Sequence, residues 1–410
     1  MEHSDTGLEP APRTRHPWVW ALLYFPFGLT FGFPSIALGY LASRAGVPVS
    51  AIAGVVGMTW LASGWKFTWA PLGDYTLSRK RWYLIAITLV SIGFVAMSSL
   101  PIEPATVPIF SAIVLATSLA GTFIAFATEG LMTHNSPPAT RGRSGGWFQS
   151  GNQFAQTAGG GLGLWLIKHL PQPWMAGAAL AGVLWLCSLG LIGLEEPPRH
   201  TRHPSPLARA GEAWRELVAL LRQRAGRIAL ILAILPIGTG AAQALFGSVA
   251  GEWRASADTV AIVLGLGGGL AIVAGCFVGG VIADRMARPA SYALACALGV
   301  LACAGIAFSP RNELGYTIST LFYTFTVGMA ASTFTAMVLA IIGDTAAATK
   351  INLFFALNTL FSLGMLRANG WAHDRWHTNG MLATEALVGV AALLLFAALA
   401  PRVRGELLTE

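Results

Sequence analysis

The sequence predicts an all-α integral membrane protein of about twelve spanning helices, arranged as two pseudo-symmetric six-helix halves. Three observations carry this. First, the 410 residues are 54% hydrophobic and only 11% charged, with mean hydropathy +0.61, whereas soluble domains carry about 25% charged residues. Second, apolar stretches of spanning length, roughly 20 residues each, recur at 18–42, 49–72, 82–100, 106–128, 146–168, 174–194, 227–249, 258–282, 289–308, 315–342, 351–370 and 380–400. Third, the second half of the chain repeats landmarks of the first at one interval.

A chain facing lipid must satisfy its own backbone hydrogen bonds, so each stretch is expected to be a helix. The alternating ~10-residue segments of a transmembrane β-barrel are not seen. The repeated landmarks set the larger order. The run Gly64-Trp-Lys-Phe-Thr-Trp-Ala-Pro-Leu-Gly-Asp74 followed by Arg79-Lys-Arg81 has its counterpart in Gly279-Gly-Val-Ile-Ala-Asp284-Arg285 followed by Arg288. Pro26-x-Gly28 is matched by Pro236-x-Gly238, and Ala139-Thr-Arg141 by Ala348-Thr-Lys350. All three pairs lie about 210 positions apart. Two six-helix halves related by a pseudo-two-fold axis along the membrane normal resemble the major facilitator architecture, which implies a central cavity near the bilayer midplane.

The expected divisions are a cytoplasmic tail (1–16), an N-terminal bundle (17–194), a linker (195–226), a C-terminal bundle (227–400) and a short tail (401–410). In the linker, Glu195-Glu-Pro-Pro-Arg-His-Thr-Arg-His-Pro204 breaks any helix. Ser205-Pro206 then reads as a helix start. Leu207, Ala210, Trp214, Leu217 and Leu221 fall on one face, opposite Arg209, Arg215, Arg222 and Arg224. This fits an amphipathic helix on the membrane surface, or a solvated basic linker.

The net charge of +7 invites a nucleic-acid reading that its distribution opposes. With the N-terminus inside, nineteen Lys and Arg fall on the cytoplasmic side. Six fall outside: Arg44, Lys168, Arg254, Arg311, Arg367 and Arg375. That is the positive-inside pattern, with both termini cytoplasmic and a bacterial inner-membrane location expected. Cys187, Cys276, Cys296 and Cys303 all lie in apolar stretches without metal-type spacing, and read as buried small residues. No cleavable signal peptide is read, because the first apolar stretch is too long and no cleavage site follows it. No cofactor or metal is expected; His373 and His377, four apart in an outer loop, lack further ligands.

Within this frame a few residues can carry function. Lys66 lies eight positions before Asp74, roughly 12 Å deeper at 1.5 Å per residue. An ionisable side chain there is costly and points to a site. It either contacts an anionic substrate group or snorkels to the surface. Trp65 and Trp69 flank it and offer faces for a ring or sugar. The Asp74 and Asp284 loops, with Arg79, Arg81, Arg285 and Arg288, read as latches of the inner gate, an Asp facing a helix N-terminus being stabilised by its dipole; otherwise they are topogenic charges. Glu129 at the end of the fourth stretch and Glu385 near the start of the twelfth are the candidates for proton coupling, unless each is a boundary residue. Asn152, Gln153 and Gln156, Gln243, Tyr323 and Asn358 are expected to line the cavity or to bond across helices. Arg367 is a second candidate anion contact. Gly28/Gly32, Gly265/Gly269 and Gly275/Gly279 sit at helix-packing spacing. Gly159-Gly-Gly161 either packs closely or bends.

At Lys66-Phe-Thr-Trp-Ala-Pro-Leu-Gly-Asp74 the chain resembles the second-helix signature of the AmpG-type muropeptide permeases and their acetyl-coenzyme A transporter relatives. The likeness continues at Arg141-Gly, Gly159-Gly-Gly-Leu-Gly-Leu-Trp-Leu166, Gly328-Met-Ala-Ala-Ser-Thr-Phe-Thr-Ala336 and Ala348-Thr-Lys350, then Leu353-Phe-Phe-Ala-Leu357. The resemblance implies a major facilitator fold and uptake across the bacterial inner membrane, commonly proton-linked, with siderophore importers among the wider group. The chain departs from the permeases' Gln-Asp-x-x-x-Asp-Ala pattern, having Phe123-Ile-Ala-Phe-Ala-Thr-Glu129. It also has Tyr323-Thr-Phe-Thr326 where they carry an acidic residue.

The expectation is a monomeric secondary transporter moving a small or medium organic, anionic solute through the bilayer by alternating access, with protons as the coupling ion. The alternatives are an efflux carrier of the same fold or a non-transporting sensor. An enzyme would need a convergent nucleophile or acid–base set at membrane depth. The apolar stretches contain no paired carboxylates and no deep histidine.

Overall fold

A computed structural model of the chain describes residues 16–65, 77–136, 141–196, 240–342 and 347–407, with side chains described throughout these except at 141–143, 339–355 and 399–407. Every regular element among the described residues is helical. Among the described residues, eight helices are long and apolar enough to cross a bilayer. In chain order, α1 is Trp18–Arg44, α2 Val49–Gly64, α3 Arg79–Ser99, α4 Val107–Asn135 and α6 Pro173–Leu191. Between the last two, α5 comprises Arg141–Phe154, Ala155–Gly159 and Gly160–His169. The seventh stretch is described only as short turns, Ala242–Leu245, Phe246–Val249 and Ala250–Trp253, together called α7. Then follow α8 Ala257–Arg285, α9 Arg288–Ala307 and α10 Glu313–Ile342. The segment Ala347–Leu407 leaves helical geometry at Trp376 and at His377, whose φ is 56°. It is therefore two helices, α11 (347–375) and α12 (378–407).

Helix starts follow local chemistry. Ser78 caps α3, accepting from the Arg81 amide at 3.4 Å. Ser256 caps α8, accepting from the Thr259 amide at 3.2 Å. Glu103 and Thr106 form a reciprocal capping box before α4, each satisfying a donor the helix end leaves free. The fourth helix differs from expectation: it runs to Asn135, so Glu129 lies within it rather than at its end. Within this last stretch the Thr133 hydroxyl donates back to the Glu129 carbonyl at 2.8 Å.

Among the described residues three helices carry a π turn: Phe33–Leu38 in α1, Ala155–Gly159 in α5 and Ala261–Gly267 in α8. Pro34 lies in the first, where the missing N–H and the clash with the preceding turn disfavour a regular ladder. The three π turns touch one another, so the widened parts of three helices meet at one place.

Large apolar side chains stay exposed along α3, α6, α8 and α12, for example Leu89, Ile92, Leu186, Leu270, Phe277, Leu387 and Leu394. A continuous apolar exterior of this kind suits lipid and would be a liability in water. Close backbone packing supports each half. In the first half a Cβ on Gly177 would lie 2.6 Å from the Phe94 carbonyl oxygen. In the second half one on Gly275 would lie 2.0 Å from the Phe325 carbonyl oxygen. Only glycine permits such approach.

Candidate functional site

Because successive helices alternate in direction, the turns at 45–48, 170–172, 254–256, 308–312 and 376–377 share one end of the bundle. It is here called the sparse end, since few basic residues lie there. The turns at 77–78, 136, 192–196 and 286–287 share the other, basic end.

At the sparse end the two halves are joined along both lateral seams. On one seam α2 meets α11. A Cβ on Gly370 would lie 2.7 Å from Ala53 Cβ and one on Gly57 2.7 Å from Leu363 Cδ1. One turn beyond Gly370, the Asp374 carboxylate reaches the N-terminus of α2, accepting from the Val49 amide at 2.9 Å and the Ser50 amide at 3.2 Å. Pro48 supplies no side-chain cap to that helix, so the cap comes from the opposite half, 325 positions along the chain. A carboxylate on a helix N-terminus answers both its free N–H groups and its dipole.

On the other seam α5 meets α8. Lys168 at the end of α5 pairs with Asp258 in the first turn of α8. Deeper, a Cβ on Gly161 would lie 2.3 Å from the Ala261 carbonyl oxygen and 2.6 Å from Gly265 Cα. The pseudo-two-fold axis exchanges α2 with α8 and α5 with α11, so the two seams are counterparts with inverted chemistry. On one the carboxylate comes from the arriving helix, on the other from the capped helix itself.

Behind Asp374 the chain of contacts continues. His373 Nε2 lies 2.8 Å from Glu252 Oε1, and His373 Nδ1 lies 3.8 Å from Asp374 Oδ1. The Thr378 amide donates to Glu252 at 3.3 Å. Burial pushes the Glu252 carboxyl up. The hydrogen bonds from His373 and Thr378, with the charges of His373 and Arg311, outweigh it and hold the group below its ordinary value. Arg311 in turn stacks on Trp253, 4.0 Å from the ring centre. The closure thus ties the last turn of α7, the turn after α9, the end of α11 and the start of α12 to the start of α2. Asp374→Ala is expected to cost roughly 0.5–2 kcal/mol, the usual worth of an N-cap. It is measured as a lower melting temperature of the protein in lipid nanodiscs; an unchanged melt would mean the cap is not formed.

In the interior the polar residues fall into two groups. On α5, Gln149, Gln153 and Gln156 stand at i, i+4 and i+7 and so share one face. The Gln156 amide donates to Gln153 Oε1 at 3.1 Å and to Asn152 Oδ1 at 3.3 Å. Gln149 and Gln153 avoid the faces already used, while Gln156 stands at the edge of the α1 face, its backbone against Gly32. Gly151, Asn152 and Ala155 press against α1, and Phe154 and Thr157 against Gly269 of α8. Trp147, Leu162 and Trp165 stay exposed elsewhere on the helix. The stripe therefore lies between the α1-facing and α8-facing sides of this helix, away from its lipid-exposed tryptophans. In the C-terminal half, Gln243 of α7 donates to Thr324 of α10 at 3.4 Å.

The second group lies inside the C-terminal half. Tyr323 of α10 donates to Glu385 Oε1 at 3.1 Å, and Asn369 of α11 donates to Glu385 Oε2. Tyr323 and Asn369 are both fully enclosed. The sequence named Glu385 and Tyr323 for separate roles, coupling and substrate binding; the structure places them on one hydrogen bond. Asn369 was missed, and its only sequence signal is an amide inside an apolar run.

Other expected site residues are dispersed. Trp65 is half-exposed at the C-terminus of α2, while Lys66, Trp69 and Asp74 lie outside the described residues. Glu129 is hydrogen-bonded to Tyr24 of α1, whose ring stacks on Phe148 with centroids 3.5 Å apart. The described contacts of Arg79 are within the first half: its guanidinium donates to the Phe126 carbonyl at 3.1 Å and stacks on the Phe126 ring at 3.8 Å. The Arg79 and Lys80 amides are capped by Glu196 at 3.1 and 2.9 Å. Arg81, Asp284, Arg285 and Arg288 are exposed at the basic end. Asn358 is half-buried on α11, and Arg367 lies on an exposed face of that helix with Phe361 and Trp371. The latch residues Asp374, Lys168, Asp258 and Glu252 were not singled out from sequence, since an acid or base near a helix end reads as an ordinary boundary charge.

Comparison with known proteins agrees with this architecture. The family model described as Major Facilitator Superfamily matches residues 20–366. No curated protein matches the sequence. Among solved structures, the nucleoside transporter NupG is similar with a TM-score of 0.71 at 13% identity, over 93% of this chain and 98% of that one. A D-xylose-proton symporter gives 0.66 at 16% identity, over 92% and 96%. A bacterial homologue of the human lysosomal transporter Spinster, in an inward-facing and unoccupied conformation, gives 0.64 at 14% identity, over 96% of each chain. With the family matched over most of its length and the same two-half helical fold, this chain belongs to the Major Facilitator Superfamily and is a multi-pass membrane transporter, not an enzyme.

Proposed function

We propose that the protein is a secondary transporter that carries a polar organic solute across the bacterial inner membrane by alternating access, with import coupled to protons and both termini cytoplasmic. The observation that carries this reading is the polar stripe of α5, Gln149, Gln153 and Gln156, on a helix that itself forms one of the two seams joining the halves at the sparse end. A secondary transporter needs a binding surface at the interface of its halves and a closure that can be made on one side and broken. Positive-inside topology makes the sparse end the outer one, so the conformer described here is closed outward.

The site chemistry narrows the solute. Amide side chains offer donors and acceptors together, which suits sugar hydroxyls and peptide groups. Lys66, if it reaches the same space, adds a contact for a carboxylate or phosphate. A muropeptide-like or siderophore-like anion meets both demands. The similar structures include a nucleoside transporter and a D-xylose-proton symporter, and a neutral sugar or nucleoside would use the amides alone. Dependence on Lys66 distinguishes the two.

The test is thermal stabilisation of the protein in nanodiscs by anhydromuropeptides, siderophores, acyl-coenzyme A species, dicarboxylates, nucleosides and pentoses. It compares wild type with Gln153→Ala and Lys66→Ala. A true substrate at 100 times its Kd stabilises by about 2.7 kcal/mol, and Gln153→Ala is expected to remove most of that shift. Loss in Lys66→Ala as well marks an anionic substrate; retention there marks a neutral one. A ligand that stabilises wild type and Gln153→Ala equally would sink the α5 site.

A further inference from the structure

The polar knot within the C-terminal half is not explained by a binding surface between the halves. Glu385 lies on α12, seven residues past the start of that helix and within the apolar segment Ala356–Ala398. That is roughly 10 Å along the helix from its end. Both carboxylate oxygens are taken up by neutral donors, the Tyr323 hydroxyl at 3.1 Å and the Asn369 amide nitrogen. Beside them is a small cavity of about 20 Å³, lined by Glu385, Tyr323, Cys303, Thr326 and Gly299. That is room for one water molecule.

The informative atom is the other end of the Asn369 amide. Asn369 is 0% exposed, and its Oδ1 is buried with no hydrogen-bond partner. A buried acceptor left unmade is costly, and native structures rarely tolerate one without a reason. Turning the amide by half a rotation brings Oδ1 to the place now held by Nδ2. A carboxylate cannot bond to it in that position, because both atoms are acceptors. A carboxylic acid can, by donating its own proton. The Glu385–Asn369 bond can therefore be made in two ways, by an ionised Glu385 facing the amide nitrogen or a protonated Glu385 facing the amide oxygen, and each leaves the other amide atom without a partner.

We propose that Glu385 is a proton-binding site whose two states are each matched by one orientation of the Asn369 amide, and that α11 conveys its state to the seam between the halves. The proton enters as a hydrated proton through the water-sized cavity and leaves the same way, with no other bond made or broken. The route to the seam is short. Gly370, adjacent to Asn369, packs on Ala53 and Ser50 of α2, and Asp374 at the end of the same helix caps α2. A change in how α11 sits against α12 must then appear at the α2–α11 contact. This rests on the transporter reading for its purpose but not for its test.

The test needs no substrate. Infrared difference spectra of the protein in nanodiscs, taken between about pH 5 and pH 9, isolate the C=O stretch of titrating carboxylic acids. The expected result is a band that rises on acidification and is absent from Glu385→Gln. In Tyr323→Phe the same band persists and moves to higher wavenumber, because the carbonyl oxygen has lost a donor. The tyrosine variant also serves if Glu385→Gln does not fold. The proposal is overturned if every titrating band survives in Glu385→Gln, if no band titrates in that range, or if Tyr323→Phe leaves its position unchanged. Failure of the ligand panel would leave this result standing, and failure here would leave the α5 site standing.

Discussion

Gly161→Ala is expected to leave the protein folded but unable to hold the halves together at the sparse end. The added methyl would stand 2.3 Å from the Ala261 carbonyl oxygen and 2.6 Å from Gly265 Cα. Both obstacles are backbone, so no side chain can turn away, and α5 and α8 must separate. Because Gly161 and these neighbours belong to different halves, the separation is along the coordinate that the proposed alternating access would use. Overpacking of this kind costs about 1–3 kcal/mol, which corresponds to a shift of roughly 5- to 150-fold between two conformers. Ser248 reports it. Its side chain is buried between α7 and Gly39 of α1, so Ser248→Cys is expected to be shielded from a membrane-impermeant maleimide while the seam is closed. Adding Gly161→Ala should raise the labelling rate by roughly 5- to 150-fold with little change in melting temperature. Gly182→Ala, whose methyl would meet nothing within 4 Å, is the control. Equal labelling with and without Gly161→Ala would mean that the α5–α8 crossing does not set the closed state.

Much of this architecture was legible in the sequence because its causes are one-dimensional. Spanning length, apolar content and basic loops are local quantities, and the interval between Asp74 and Asp284 gave the two halves before any contact was known. Even the reversal between α11 and α12 at Trp376 and His377 falls in the gap between two apolar stretches. The end of α4 was misplaced because Thr133, His134 and Asn135 are polar yet helical. Hydropathy marks where a helix enters lipid, not where it stops. The site was less legible, because its bonds join residues far apart. Nothing beside Asp374 in the chain says that it caps a helix 325 positions earlier. Gly161 and Gly32 are the same residue in the same kind of helix, and only the neighbour decides which one separates halves and which one builds a half. Glu385 and Tyr323 were both noticed, but Asn369, which joins them, looked like any amide in an apolar run. The π turns were invisible except through Pro34 and the run Gly159-Gly-Gly161.

The second large effect is expected at Gly32, where the same change to alanine should damage the fold rather than the conformational balance. A Cβ there would lie 1.9 Å from the Gln156 carbonyl oxygen and 2.7 Å from its carbonyl carbon, both backbone atoms of α5. The crossing is tight on both sides: a Cβ on Gly160 would meet the Gly32 carbonyl oxygen at 2.4 Å, and one on Gly28 the Asn152 carbonyl oxygen at 2.3 Å. Both helices belong to the N-terminal half, so rocking one half against the other relieves nothing. Relief by sliding is also restricted, because α1 carries Pro26 and Pro34 on either side of the contact and α5 is held against Leu29 at Gly159 and Phe33 at Gly163. Gly32→Ala is therefore expected to lose about 3 kcal/mol, the upper part of the overpacking range. It should appear as a clear drop in melting temperature and in the yield of monodisperse protein. Gly54→Ala, with nothing within 4 Å of its methyl, should melt like wild type. Because Gln156 sits at this crossing, its amide moves with the backbone, and the stripe with Gln153 loses its register. Any surviving Gly32→Ala protein should then lose solute-induced stabilisation as well, while Gly161→Ala keeps it. A Gly32→Ala protein that melts with wild type and still responds to solute would show that α1 and α5 do not touch through their backbones, and the placement of the amide stripe would fall with that contact.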